Sequence, residues 1–351
     1  MTDEPIVLAG QYGSPYTLKM RGVLRYRRIP FRWVLRDSPW DDLPPPPVAL
    51  IPVIAYPDGN GGYGDVTVDS SPQIMRLETE FAGRSLLPSD PALALIDMLI
   101  EDYGDEWLTK AMYHYRWAYQ PDIEKAGKLL PLSSNLHLSP ERADQAYRFI
   151  TKRQISRRAM VGSTDETAGA LESSYRRVLT IMQAHLEQQQ FLLGERPGRG
   201  DFGLFGQLTQ LVRWDPTPMQ VAIDIAPKVV NWVERMDDLA WLPVEGDDGW
   251  GALETLPASI HTLLCEIGAT YAPFMVANAD ALARGADEVV CTVAGATGTV
   301  EYRQPPFPYQ GKCLTWLREA YLALQPDDRV RVDAALAGTG CEQLFARSAA
   351  E

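Results

Sequence analysis

Short apolar runs separated by turns and helical spacings make up the first quarter of the chain. Residues 6–9 are apolar, residues 10–13 have the composition of a turn, and a helical spacing begins at Ser14 and Pro15. Serine at the cap followed by proline at the first helical position is a common helix start. The pattern therefore predicts a strand, a loop and a helix N-terminus, whose unpaired backbone N–H groups favour an anion such as a thiolate.

The pattern then returns to strands. Residues 31–34 form the second predicted strand, and residues 52–56 and 66–68 form a predicted antiparallel pair around a glycine-rich turn. A helix is predicted to follow from Ser70. Between the second and third strands, four consecutive prolines at residues 44–47 remove the donors that a helix needs. We therefore expect an extended, polyproline-like chain in that connection.

Helical periodicity dominates after a proline-containing linker at residues 84–91. Leu95, Leu99, Tyr103 and Trp107 recur on one face of a long predicted helix, and acidic residues occupy its other faces. Acidic groups in the middle of such a helix can be catalytic. We interpret them instead as a solvated face, because charges spaced along a helix commonly face water.

Composition narrows the classes of function. The chain has 351 residues, of which 46% are hydrophobic, so it can bury a sizeable core in two or three domains. Its formal charge of −13 opposes binding to nucleic acid or to an anionic membrane. Basic residues outnumber acidic ones over residues 1–36, so an anionic ligand would meet that section first.

The four cysteines all lie in the last third of the chain and form no Cys-x-x-Cys pair, so we expect buried free thiols. We find no apolar run as long as a membrane span and no signal-peptide pattern. These features predict a cytoplasmic protein. The four histidines lack the spacing of metal ligands, so we expect no metal site.

Three short motifs in the first section resemble those of one family. Residues 14–17, Ser-Pro-Tyr-Thr, resemble the Cys-Pro-Tyr-Cys corner of glutaredoxins with oxygen in place of both sulfurs. Residues 51–54 resemble the cis-proline strand opening of thioredoxin-like folds. Asp69 and Ser70 resemble the acidic residue and serine with which glutathione transferases hold the γ-glutamyl end of glutathione. In this order, and followed by a long helical region, the motifs resemble the glutathione transferase superfamily.

The resemblance implies an α+β chain of two family domains. A thioredoxin-like glutathione-binding domain would occupy residues 1–85, and an all-α transferase C-terminal domain would occupy residues 92–250. Within the latter, a loop resembles the family's N-capping box, but Gly198 replaces serine or threonine at the cap. We therefore expect Asp201 to satisfy the backbone there alone.

Residues 251–351 lie beyond the resemblance. Their helical spacings and a hairpin pattern predict an ordered, mostly helical extension packed on the helical domain. Three aromatic residues in it, Tyr302, Phe307 and Tyr309, could either anchor packing or reach over the cleft as a partial lid.

The resemblance also implies an activity, with glutathione as co-substrate and no metal. The glutathione thiolate would attack a small hydrophobic electrophile, as in detoxifying enzymes, and the protein would be a homodimer. Ser14 would donate a hydrogen bond to the sulfur, and Tyr12 is the alternative donor. Val53, Asp69 and Ser70 would bind glutathione, although Asp69 and Ser70 could instead only cap a helix.

Two further inferences concern the rest of the site. The resemblance places Tyr103, Trp107 and Tyr113 beside the pocket for the electrophile, although core packing would also explain these aromatic side chains. Many relatives hold the glycine carboxylate of glutathione with a lysine two residues before the cis-proline, and Leu50 stands there. The alternative to an enzyme is therefore a transferase-fold binding or interaction protein without turnover.

Overall fold

The computed structural model describes residues 4–346. The N-terminal domain consists of β1 (Ile6–Gly10), α1 (Pro15–Tyr26), β2 (Phe31–Leu35), β3 (Val53–Pro57), β4 (Tyr63–Val68) and α2 (Ser70–Glu80). The sheet order is β2-β1-β3-β4, with β1 parallel to β2 and the other pairs antiparallel. The predicted order of elements is confirmed, and the Ile51–Pro52 peptide bond is cis. Residues 36–52 contain no helix or strand, as the prolines predicted.

The sheet of this domain has two apolar faces. Leu8 and Ile54 point to the face that joins the large core of the protein, whereas Val7 and Val53 point to a small separate cluster on the other face. This division follows from the alternation of side chains along a strand. The helices α1 and α2 therefore cover only the first of these faces with the main core.

The helical domain contains α3 (Pro91–Tyr103), α4 (Thr109–Ala118), α5 (Gln120–Leu129), α6 (Pro140–Ile155), α7 (Ala168–His185), α8 (Arg199–Thr209), α9 (Pro216–Ile225) and α10 (Pro227–Met236). A π-helical segment, Gly104–Leu108, joins α3 to α4. The central helix is α8, which is buried along its whole length and packs against both α1 and α3. It therefore holds the two family domains together.

The crossing of α3 and α8 depends on two glycines. A Cβ atom on Gly104 would lie 2.7 Å from the carbonyl carbon of Gly203, and a Cβ on Gly203 would lie 2.8 Å from the Cα of Glu101. Real side chains do not approach backbone atoms so closely. The absence of side chains at both positions lets the two backbones touch and brings the acidic face of α3 against α8.

The N-terminus of α8 is capped from two directions. Asp201 accepts hydrogen bonds from the backbone N–H groups of Gly198 and Leu192, both at 3.0 Å. Asp97 of α3 accepts two more, from the N–H groups of Arg199 and Gly200, both at 2.9 Å. The expectation that Asp201 acts alone is therefore wrong, because a carboxylate distant in sequence takes the place of the missing cap side chain.

Gly198→Ala is expected to lower the free energy of unfolding by about 1–3 kcal/mol through overpacking. The reason is that a Cβ there would lie 2.6 Å from both carboxylate oxygens of Asp97. Urea unfolding measures the effect. Gly169→Ala is the matched control, because no atom lies within 4 Å of its added Cβ on α7. Alanine should leave the protein as stable or more stable there, and equal losses for both variants would contradict the prediction.

Residues 251–346 form an extension on the helical domain. It contains α11 (Ala258–Ala269), α12 (Tyr271–Arg284), a hairpin of β5 (Val289–Ala294) and β6 (Thr299–Gln304), α13 (Pro308–Ala323) and α14 (Pro326–Leu336). α11 packs on α7, and α13 and α14 pack on α3. Its apolar residues belong to the same continuous core as the helical domain.

One stretch of the extension has the length and composition of a membrane span. It covers α11 and α12, Ala258–Arg284, and the sequence analysis did not anticipate it. Within the protein, 61% of its apolar window is buried, as in the core helices of globular proteins.

Candidate functional site

A cavity of about 370 Å³ opens where all three parts of the chain meet. The N-terminal domain contributes Tyr16, Leu50, Ile51, Pro52, Asp69, Ser70 and Ser71. The helical domain contributes Met98, Glu101, Asp102, Asp105, Glu106, Thr109, Lys110, Met160, Val161 and Arg199, and the extension contributes Phe307, Tyr309, Gln310, Cys313 and Trp316. Its size suits a small-molecule site.

Asp69 and Ser70 lie together at one end of this cavity. Asp69 precedes α2 with a φ of 79°, a conformation that costs energy for a residue with a side chain. Its carboxylate makes no capping hydrogen bond to α2, so capping does not explain it. Instead its Oδ2 accepts a hydrogen bond of 2.6 Å from the Tyr309 hydroxyl of the extension. Ser70 Oγ accepts one of 3.3 Å from Lys19 Nζ.

Ser14 and Tyr12 are not among the residues that line the cavity. Ser14 caps α1, where its Oγ accepts a hydrogen bond of 3.3 Å from the N–H of Thr17. Tyr12 is 46% exposed, and its ring packs against Trp33 and under the Arg21 guanidinium. Tyr16 contributes the lining side chain from this corner, and its hydroxyl donates to the carbonyl of Asp105 at 2.8 Å.

Val53 lies away from the cavity. It is fully buried in β3, where it stands opposite Ala9 and Val68 in the small apolar cluster. The cavity is lined at this point by Ile51 and Pro52, the two residues of the cis peptide. Val53, which the resemblance suggested for contact with glutathione, therefore follows the lining residue Pro52 directly but does not itself line the cavity.

Tyr103, Trp107 and Tyr113 do not line the cavity. Tyr103 and Trp107 are buried, and the indole Nε1 of Trp107 donates to Ser174 Oγ at 2.9 Å. The Tyr113 hydroxyl donates to the carbonyl of Gln154 at 2.8 Å. The extension packs on this face of the helix, so the structure uses these aromatic side chains as core and packing residues.

The acidic face of the same helix lines the cavity instead. The interpretation of this face as solvated is wrong, because Glu101, Asp105 and Glu106 are at most 8% exposed. Asp97, Glu101 and Asp105 recur at intervals of four, which places them in one row along the helix. The four-residue spacing of these acids is visible in the sequence. It is compatible with a buried face whose charges are paired as well as with a solvated face.

Two cations neutralise part of this row. Lys19 Nζ lies 2.7 Å from Glu101 Oε1 and 2.5 Å from Asp105 Oδ2, and Arg199 pairs with the other oxygen of Glu101. Burial alone would raise the pKa of Glu101, but Arg199 and Lys19 hold that pKa below its ordinary value. The pKa of Asp105 is raised to about 7, because burial outweighs its attraction to Lys19.

Asp102 and Glu106 also line the cavity and, with Asp105, form what we call its acidic wall. Within the described residues, neither Asp102 nor Glu106 forms an ion pair of this kind. Burial, together with the neighbouring Asp102 and Asp105, raises the pKa of Glu106 to about 8. Burial also lowers the pKa of Lys110, one turn further along α4, to about 7. Perturbed titrating groups that share one cavity are a common property of functional sites.

Two of the three aromatic residues considered as a lid lie at the cavity. Phe307 and Tyr309 line the cavity. Tyr302 is buried elsewhere, with its ring centroid 5.3 Å from that of Trp107 and 5.8 Å from that of Phe274. It therefore anchors the extension to the helical domain.

The sequence was compared with protein families. The glutathione S-transferase N-terminal domain matches residues 8–85, and the glutathione S-transferase C-terminal domain matches residues 141–239. The chain belongs to the glutathione transferase superfamily. No curated protein matches it by sequence. Among the described residues, no group of three or more histidine, cysteine or acidic side chains is arranged to hold a metal ion.

Solved structures similar to this superfamily member share little sequence with it. The beta-etherase LigF from Sphingobium sp. strain SYK-6 is 17% identical over 67% of this chain and 95% of its own, with a TM-score of 0.42. A glutathione S-transferase from Methylobacterium radiotolerans, in complex with glutathione sulfonate, is 17% identical over 70% and 99%, with a TM-score of 0.38. The tau class glutathione S-transferase of mango, Mangifera indica, is 17% identical over 69% and 94%, with a TM-score of 0.36.

Proposed function

We propose that this protein is a glutathione-dependent transferase, in which the thiolate of bound glutathione attacks a small, largely apolar electrophile. The observation that carries the proposal is the cavity itself. Asp69, Ser70 and the cis peptide Ile51–Pro52, which correspond to the family's glutathione-binding positions, line the same cavity as the helical domain. Glutathione and a second substrate could therefore meet there.

The Asp69 corner suits the γ-glutamyl end of glutathione. Within residues 4–346, Tyr309 donates to Oδ2 of Asp69 and no donor bonds Oδ1. We expect the ligand's ammonium group to form a charge-assisted hydrogen bond to Oδ1. The hydroxyl of Ser70 lies beside it and can bond the ligand's carboxylate. The cis peptide offers backbone groups to the rest of the peptide-like ligand.

Ser14 is the group proposed to activate the sulfur. Its Oγ accepts the N–H of Thr17, so the hydroxyl hydrogen remains to be donated. It lies at the N-terminus of α1, where the helix dipole also favours a thiolate. Tyr12 stays the alternative donor, although its ring packs against Trp33 at the surface.

Leu50 lies at the rim of the cavity, where many relatives have lysine. Leucine cannot make the charge-assisted contact that lysine would make to the glycine carboxylate of glutathione. Such a contact contributes about 1.5–3 kcal/mol to binding. We therefore expect glutathione to bind more weakly than in relatives with lysine. The proposal further includes a homodimer, as the resemblance implies, and a cytoplasmic location, as the sequence features predict.

Turnover of glutathione with a panel of aryl halides, epoxides and aryl ethers tests the proposed reaction, and retention on immobilised glutathione tests binding. Conjugation of one class is the expected result. Retention without turnover of any of them would favour a transferase-fold binding protein, and absence of both would contradict the proposal.

Asp69→Asn is expected to weaken glutathione binding about tenfold or more, because the carboxylate that faces the ligand's ammonium loses its charge. Titration calorimetry measures the dissociation constant. Asp65→Asn is the matched control, because Asp65 lies on β4 of the same domain and pairs with Arg76 outside the cavity. Equal glutathione affinities for the Asp69 variant and the parent would show that Asp69 does not bind glutathione.

A further inference from the structure

Three carboxylates in the cavity lack a cationic partner. Within residues 4–346, Asp69, Asp102 and Glu106 form no ion pair with lysine, arginine or histidine, although all three line the cavity. The donors that reach Asp69 and Asp102 are neutral hydroxyls of the extension, from Tyr309 and Tyr271 respectively. The cavity therefore contains carboxyl groups that no cation of the described protein pairs with.

The acidic wall also contains a buried acceptor without a partner. Asp105 is 4% exposed, and only its Oδ2 pairs with Lys19, while its Oδ1 accepts no hydrogen bond within the described chain. Glu106 follows it in the π-helical segment and is 8% exposed. Gln310 is its neutral neighbour, and the amide of Gln310 donates to the Glu106 backbone carbonyl at 2.9 Å. Burying unpaired acceptors is costly unless a ligand satisfies them.

Lys110 also lines the cavity, and its ammonium contacts neutral groups. Its Nζ donates to Gln304 Oε1 at 2.8 Å and lies 4.2 Å from the ring centroid of Phe274. It makes no ion pair with a carboxylate in the part of the chain that the structure describes. Burial lowers the pKa of Lys110 to about 7, so its positive charge is incomplete at neutral pH.

The cavity also has apolar lining residues. Met98, Met160 and Val161 come from the helical domain, and Phe307 and Trp316 come from the extension. An apolar body fits against such side chains, and aromatic faces also attract cations. The cavity thus combines carboxyl groups that have no cationic partner within the described residues with apolar side chains.

We propose that the second substrate is a small organic cation, an ammonium or amidinium group on an apolar body. The positive charge lies between Asp102, Asp105 and Glu106, and the apolar body packs against Phe307 and Trp316. The inference rests on the proposed function for the claim that this compound reacts with glutathione. The cation site itself can be measured without glutathione.

Because the carboxyl groups of the acidic wall titrate near neutral pH, the affinity for the cation is expected to depend on pH. The groups that face Glu106 come from every element packed against it: Tyr16 of α1, Asp102 of α3, Asp105 of the π-helical segment, Lys110 of α4, Tyr271 of α12, and Tyr309, Gln310 and Cys313 of α13. Burial is the first cause that raises the pKa of Glu106 to about 8, that of Asp105 to about 7 and that of Asp102 to about 6. These carboxyls gain charge as the pH rises, so cation binding strengthens from about pH 6 to about pH 8.

Titration calorimetry without glutathione tests this site with naphthylmethylamine, the neutral naphthylmethanol and the anionic naphthoate. At about pH 8, where these carboxyls have gained charge, the amine is expected to bind at least about tenfold more tightly than the alcohol, as a charge-assisted contact predicts. Glu106→Gln keeps the side chain's shape and should reduce this preference about tenfold. Glu124→Gln, on exposed α5, should leave the preference unchanged.

Equal binding of amine and alcohol, or a preference for naphthoate, overturns the proposal, and the second result assigns the cavity's charge to Lys110. An affinity for the amine that is flat between about pH 6 and pH 8 also overturns it. If Glu106→Gln does not fold, Asp102→Asn provides the same test, because asparagine still accepts from Tyr271. Since glutathione is absent, a failed cation site and a failed glutathione site give separate results.

Discussion

Replacing Ser14 with alanine is expected to lower kcat for glutathione conjugation about 10²-fold or more, because loss of one donor to a developing anion typically costs that much. The affinity for glutathione should change little, since Ser14 lies outside the Asp69 corner. Steady-state kinetics together with a direct binding measurement separate these two effects. The thiol's pKa, followed as thiolate absorbance in the complex, should rise in the variant.

The structure shows which controls this experiment needs. Ser14 also caps α1 through Thr17, so alanine is expected to cost about 1 kcal/mol of stability in addition. Ser14→Thr keeps both the hydroxyl and the cap and should retain most of the activity. Tyr12→Phe should behave like the parent. If Tyr12→Phe loses the activity and Ser14→Ala does not, the phenol of Tyr12 is the donor.

Replacing Lys19 with methionine is expected to destabilise the protein by about 3–5 kcal/mol, as for other buried pairs that lose one partner. Lys19 is fully buried, and its ammonium pairs with both Glu101 and Asp105. Arg199 still compensates Glu101 in the variant, so the loss falls mainly on Asp105. Urea unfolding measures the free energy of unfolding.

This loss should depend on pH with a definite sign. The pKa of Asp105 is about 7 in the folded parent, above its value in an unfolded chain, and it rises further when Lys19 is absent. A folded state that binds the proton more tightly loses stability as the pH rises through this range. The deficit should therefore be larger at about pH 8 than at about pH 6. A deficit that shrinks with rising pH would contradict this account.

An exposed pair provides the control for that variant. Lys128 and Glu124 form an ion pair on the surface of α5, where both side chains are largely exposed. Lys128→Met should change stability by no more than about 0.5 kcal/mol, because exposed pairs contribute little. Similar losses for both lysine variants would mean that burial of the Lys19 network is not the cause.

Local patterns determined most of the N-terminal domain in advance. The alternation of apolar runs, the Ser14-Pro15 helix start and the cis-proline motif predicted the elements and their order, and the structure has them. Such features depend on neighbours close in sequence, which is why a single sequence reveals them. The family assignment also followed from these motifs, and the family comparison confirmed it.

Prediction was weaker where a side chain has two possible environments. Tyr103 and Glu101 lie on the same helix. The resemblance suggested that the aromatic face borders the pocket, with core packing as the alternative, and the acidic face was interpreted as solvated. In the structure the acidic face lines the cavity and the aromatic face is packed, because the extension contacts Trp107 through Phe274 and Tyr302. Lys19 and Arg199 form ion pairs with this face and so reduce the free-energy cost of burying its carboxylates. Both partners are distant in sequence.

The sequence by itself therefore determined the domain types, the strand and helix order and the location of Asp69 and Ser70 at a helix start. Only the tertiary structure decided which face of α3 lines the cavity, that Asp97 caps α8, and that Tyr309 of the extension reaches Asp69. The physical reason is the range of the interactions. Helix starts, turns and strand alternation are encoded within a few residues, whereas buried charges are positioned by partners that only the folded chain brings together.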